Sequence, residues 1–165
     1  MIRIINTVSA ALDRFCRTVS VSFLSLMLLL VILQVVARYI FQAAPVWTEE
    51  GARYCMVWGG LFGATVAFRS NRDPRLFQPP RTGPRIWILS AFWIRALSTV
   101  VFLGPVLYHS DRFLARGLHR TTEALEIPMA WVTVAVPLAA IVIFVHLLDR
   151  MLSFSRKIGE DATEP

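Results

Sequence analysis

Two stretches of this 165-residue chain are long enough to cross a bilayer and carry no charge: 18–37, with 20 residues, and 127–148, with 22. A hydrocarbon core of about 30 Å, crossed at 1.5 Å per helical residue, needs about 20 apolar residues. A soluble domain of this size rarely buries even one such run. Two further apolar stretches, 50–68 and 86–108, complete a set of four. The expected fold class is therefore all-α: a polytopic membrane protein with four transmembrane helices in a single domain, 1–165. An N-terminal amphipathic helix, lying in the interface before the chain turns into the bilayer, is expected to precede the first span. Ile5, Val8, Leu12, Phe15 and Cys16 recur there at helical spacing. The first apolar run exceeds the usual apolar segment of a signal peptide, and Arg38 follows it directly, so it reads as an uncleaved helix.

The net charge of +6 does not argue for nucleic acid, because the 17 Lys and Arg residues lie in the connections between apolar runs and form no single stripe. There they act as topology signals and headgroup contacts. Eleven fall in the N-terminal segment, the second connection and the C-terminal tail, against five in the first and third connections. The positive-inside rule then places both termini in the cytoplasm.

Pro45 and Thr48 mark the start of the second helix, with Thr48 the expected N-cap, and Glu49 and Glu50 suit the positive end of the helix dipole. Glu49 and Arg53 stand in the favourable order for an i,i+4 ion pair. Because only 15 residues, 54–68, are uncharged, this span is short or includes part of the turn 47–53. The prolines of the second connection (Pro74, Pro79, Pro80, Pro84) forbid a continuous helix there. Pro128 suits the first turn of the last span, and Pro137 is expected to kink it. The polar stretch 109–126 is expected to be a connection, and the tail to be helical to about Ile158.

No residue pattern supplies catalysis: no paired carboxylates lie within a span, and no nucleophile motif or phosphate loop is present. No metal spacing accompanies Cys16 and Cys55, and neither a cofactor nor enzymatic activity is expected. His109, His119 and His146 raise a haem alternative, a four-helix anchor of a redox enzyme, but fall at opposite ends of their helices. Arg95 lies about 13 Å into the third span, which is costly without a partner. It either makes a buried contact at a subunit interface or snorkels to the inner surface. Gly59, Gly63 and Ala67, with Gly60 and Ala64 beside them, form a small-residue face for close helix packing, inside this bundle or against a second subunit.

The motifs Gln34-x-x-x-Arg38-Tyr39, Trp47-Thr-Glu-Glu-x-x-Arg53, Trp58-Gly-Gly-x-x-Gly63-Ala64 and Ile127-Pro128-x-x-Trp131 with Pro137 follow one another along nearly the whole chain. In this order they resemble the small membrane subunit, of DctQ type, of tripartite ATP-independent periplasmic (TRAP) transporters. The family often has a histidine after the second span, where this chain reads 69–75 without one. The resemblance implies a bacterial inner-membrane subunit of a secondary transporter for organic acids. Its partners would be a large permease subunit, which holds the substrate and sodium sites, and a periplasmic solute-binding protein. It further implies that Trp47, Glu49, Glu50, Arg53, Pro128 and Trp131 form an interfacial motif. Arg112, Arg116 and Arg120 are expected either to help dock the binding protein or to be simply solvated or in contact with lipid.

Overall fold

The computed structural model describes residues 2–43, 45–70 and 85–161, and these residues are helical with short connections. The order is α1 (Ile2–Ile40), α2 (Val46–Arg69), α3 (Arg85–Tyr108), α4 (Ser110–Leu118), α5 (Ala130–Thr133) and α6 (Ala135–Asp161). The proline-rich second connection lies outside the described residues.

The N-terminal segment does not turn before the first span. Helix α1 runs unbroken for 39 residues, about 58 Å, so the amphipathic stretch and the apolar run form one rod. The charges that marked a boundary are accommodated by packing: Asp13 is buried and pairs with Arg69 of α2 at 3.2 Å and with Arg17 at 3.4 Å. After Ile40 the left-handed Gln42 (φ 51°) redirects the chain into α2.

Helices α1 and α2 pack along much of their length, and α6 lies across both. Their shared core holds Cys16, Phe62 and Val142, with Leu12, Val19, Trp58 and Val66 against it. Cys16 and Cys55 are both buried thiols. Trp58 stacks on Phe23 of α1 and on Phe62, each at 5.6 Å. By contrast α3 is peripheral. Ala96 is its one fully buried residue among those described, and Phe92 stacks on Phe154 of α6 at 3.9 Å.

Among the described residues, three helical stretches are long and apolar enough to cross a membrane: Ile5–Ile40, Ile86–Leu118 and Ala130–Ser155. Helix α2 has the length, at 24 residues, but carries Glu49, Glu50 and Arg53 in its first turns. The polar stretch 109–126 contains a helix, α4, which follows α3 after His109 alone. Its Phe113, Leu114, Gly117 and Leu118 share one side at helical spacing. The kink expected from Pro137 appears as the break between α5 and α6 at Val134, next to Thr133, the residue whose carbonyl a proline four places on obstructs. Helix α6 continues to Asp161, slightly past the expected end.

Candidate functional site

The small-residue face of α2 divides in two. Gly59 is buried, and a Cβ there would come within 2.8 Å of Leu24 Cγ and 3.3 Å of the Leu24 backbone nitrogen. One turn on, a Cβ at Gly63 would lie 3.0 Å from Ser20 Oγ. The Ser20 hydroxyl donates to the Gly59 carbonyl at 2.7 Å, a buried bond that the close approach of the two backbones makes possible. Ala67 is half-buried. Gly60 and Ala64 point elsewhere: both are exposed, and nothing lies within 4 Å of a Cβ built at Gly60. Of the two alternatives for this face, packing inside the bundle describes Gly59 and Gly63, while Gly60 and Ala64 have no such contact within this chain. A 100° step per residue carries adjacent positions onto different sides.

At the opposite end of α1 and α2 the interfacial motif builds a clamp. Thr48 is not the N-cap. The helix begins at Val46 behind Pro45 (φ −65°, ψ 127°), and the buried Thr48 hydroxyl donates back to the Pro45 carbonyl at 2.6 Å. Glu49 and Arg53 form the expected pair at 2.9 Å, with both side chains more than half exposed. Glu50 does more. Its Oε2 accepts the backbone N–H groups of Ala124 at 2.7 Å and Leu125 at 2.9 Å, and its Oε1 accepts the Tyr54 hydroxyl. Three donors on one carboxylate favour its charged form. They also tie the connection after α4 to the first turn of α2. That connection is closed on itself by an antiparallel bridge between Thr121 and Pro128 and by Thr122 N–H to the Ile127 carbonyl at 2.9 Å. Trp58 Nε1 donates to the Trp131 carbonyl at 3.2 Å, fixing α5 against α2, while the rings of Trp47 and Trp131 are largely exposed.

Arg112, Arg116 and Arg120 are all exposed at this end. Arg116 Nε bonds to the Arg112 carbonyl at 3.2 Å along α4. Helix α4 sits close to α5 because Gly117 is buried there: a Cβ would meet Thr133 Oγ1 at 2.9 Å and Ala130 Cα at 3.1 Å. An open cleft of ≈ 750 Å³ lies between the start of α2 and the 119–129 connection, lined by Glu49, Arg53, His119 and Arg120 among others.

At the Asp13 end, Arg95 reaches toward the terminus of α2. Its guanidinium lies 5.3 Å from the centroid of the Phe68 ring, and that of Arg150 lies 5.0 Å away. Contacts of this kind are attractive because the ring face is electron-rich. Arg150 also donates to the Phe68 carbonyl at 2.8 Å, satisfying one of the last acceptors of α2. His146 is buried, with Nδ1 2.9 Å from Ser9 Oγ, whereas His109 and His119 are exposed at the other end. The three histidines are thus not brought together. Among the described residues, no group of three or more His, Cys, Asp or Glu side chains is placed to hold a metal.

Phe68, Ser9 and the loop-binding function of Glu50 were not singled out from the sequence. Their partners lie 74 to 137 positions away in three of the contacts concerned, so no local pattern marks them. Trp58 stood in a motif without an assigned role.

The family model of the DctQ component of tripartite ATP-independent periplasmic transporters matches residues 27–157, from the middle of α1 into the end of α6. This chain belongs to that family. Its DctQ membership makes it a membrane component of a transport system and not an enzyme, which removes the redox-anchor alternative. The chain is also similar to a Haemophilus influenzae protein named "Putative TRAP transporter small permease protein", with 40% identity over 65 residues. That match covers 39% of this chain and 38% of the relative's length.

Proposed function

We propose that this DctQ-family chain is the helical brace of a TRAP transporter for organic acids. It crosses the bacterial inner membrane four times, keeps both termini in the cytoplasm, and holds a large permease subunit that carries the substrate and sodium sites. The observation that supports this most is the family match together with the closed character of the bundle. Asp13 of α1 pairs with Arg69 of α2, Arg150 of α6 donates to the Phe68 carbonyl of α2, and the break at Val134 keeps its backbone hydrogen bonds to Ala130 and Leu138, unlike the exposed helix ends that transport sites require. Helix α2 supplies the fourth crossing. Its uncharged 15 residues extend to a full span once the clamped turn at Glu50 is set at the outer interface. The exposed Gly60 and Ala64 suit close approach by a helix of the permease. Arg112, Arg116 and Arg120, with the neighbouring cleft, suit contact with acidic patches of a periplasmic binding protein.

Co-purification in mild detergent tests this reading. The chain is expected to carry a much larger membrane protein with it, and its deletion to abolish uptake of an organic acid. A chain that purifies alone, with uptake intact in its absence, overturns the proposal. Reporter fusions at 41–45 and 71–84 test the crossing number. Fusions on opposite sides of the membrane support four crossings, and fusions on the same side exclude α2 as a span.

A further inference from the structure

The Asp13 end of the bundle carries an open cavity of ≈ 430 Å³ that none of the contacts above requires. Its wall includes Asn6, Asp13, Arg17, Arg69, His146 and Asp149. Three helices bring their first charged residues beyond the apolar stretches to this one place. Arg17 immediately precedes 18–37, Arg69 immediately follows Phe68, and Asp149 immediately follows 127–148. The cavity therefore lies at the depth where hydrocarbon gives way to phospholipid headgroups.

Two buried side chains of its wall have polar atoms unused. Asp13 is 9% exposed: both Arg17 and Arg69 engage Oδ2, and Oδ1 has no hydrogen-bond partner. His146 is 3% exposed: Nδ1 is occupied by Ser9, and Nε2 has no partner. Buried polar atoms are rarely left in this condition, because they forfeit hydration without return.

The wall also mixes charge in a way that selects its occupant. A simple anion would meet the carboxylates of Asp13 and Asp149, and a simple cation would meet the guanidinium groups of Arg17, Arg69 and Arg150. A group carrying an ammonium and a phosphate a few atoms apart answers both. The ammonium N–H groups donate to the carboxylates of Asp13 and Asp149, and the phosphate accepts from Arg17 and Arg69. His146 Nε2 also donates to the phosphate in the tautomer whose Nδ1 accepts the Ser9 hydroxyl. We propose that this cavity is a binding site for the zwitterionic headgroup of an ethanolamine phospholipid. Choline headgroups share the phosphate but have no N–H to give Asp13, and glycerol headgroups have no cation.

The test uses the full chain, with any membrane partner that accompanies it, stripped of lipid in detergent. It is then offered equal amounts of phosphatidylethanolamine, phosphatidylcholine and phosphatidylglycerol of matched chains, and retained lipid is read by native mass spectrometry. Ethanolamine lipid is expected to be retained about tenfold over each competitor, the worth of one charge-assisted hydrogen bond. Asp149→Asn is expected to reduce that preference at least threefold, by about one lost contact, and Arg17→Gln, whose side chain is mostly exposed, to lower the retention of all three lipids together by about as much, each with melting temperature unchanged. Equal retention of choline lipid, or preference for glycerol lipid, overturns the proposal. So does an undiminished preference in Asp149→Asn, or undiminished lipid retention in Arg17→Gln, which decides the matter alone if Asp149→Asn does not fold. Displacement of the lipid by an equal concentration of soluble phosphoethanolamine overturns the lipid assignment.

Discussion

Helices α2 and α3 have the same length, 24 residues each, and opposite ways of being held. Helix α2 is the less apolar of the two and is the better anchored: Thr48, Ala52, Cys55, Gly59, Phe62 and Thr65 form a continuous buried side against α1 and α6. Helix α3 is strongly apolar but buries Ala96 alone among its described residues, and leaves Trp87, Ile94, Leu97, Val101 and Phe102 exposed. Apolar content drives a helix into lipid but does not fix it against a neighbour, because hydrocarbon solvates such a surface as well as protein does. What fixes α2 is close backbone approach at Gly59 and Gly63, the Ser20 hydrogen bond, and polar groups matched at both ends.

This contrast is tested most severely at Gly59. Gly59→Leu drives a branched side chain into the Leu24 backbone, and is expected to cost about 3 kcal/mol and separate α1 from α2. Thermal unfolding in detergent reads the loss, and an unshifted melting curve would show the two helices free to move apart without penalty. Next comes Asp13→Ala, which leaves Arg69 without its 3.2 Å partner. About 2 kcal/mol is expected, the figure for a broken buried pair reduced because the Arg69 side chain is partly exposed. A smaller effect, about 1 kcal/mol, is expected for Ser20→Ala, which removes one buried hydroxyl-to-carbonyl bond. The smallest belongs to α3: Leu97→Ala is expected to change stability by no more than about 0.5 kcal/mol, since Leu97 is 64% exposed. If that variant unfolds the isolated chain, α3 is held more firmly than its burial indicates. If it leaves folding intact but abolishes co-purification of a large subunit, α3 becomes the docking helix.

Much of this architecture is readable without coordinates, and the failures have a common origin. Apolar runs locate the cores of α1, α3 and α6 because bilayer thickness imposes a length that few other constraints produce. The Glu49–Arg53 pair and the obstruction at Pro137 are local and were legible for that reason. The continuity of α1 was not. Asp13, Arg14 and Arg17 resemble the edge of a span when read along the chain, and only the arrival of Arg69 makes the Asp13 charge tolerable inside a bundle. Helix α4 was concealed because its charges, Asp111, Arg112 and Arg116, outweigh its apolar side in any window average. The division of the small-residue face at Gly59/Gly60 depends on where α1 comes to lie, which no spacing within α2 specifies.

The unbroken course of α1 has a mechanical result. Residues 13 and 37 belong to one stiff rod, so a tilt imposed at its Asp13 end reappears, reversed in direction, at the Gln42 turn. An event on one side of the membrane is thereby felt on the other without any hinge between them.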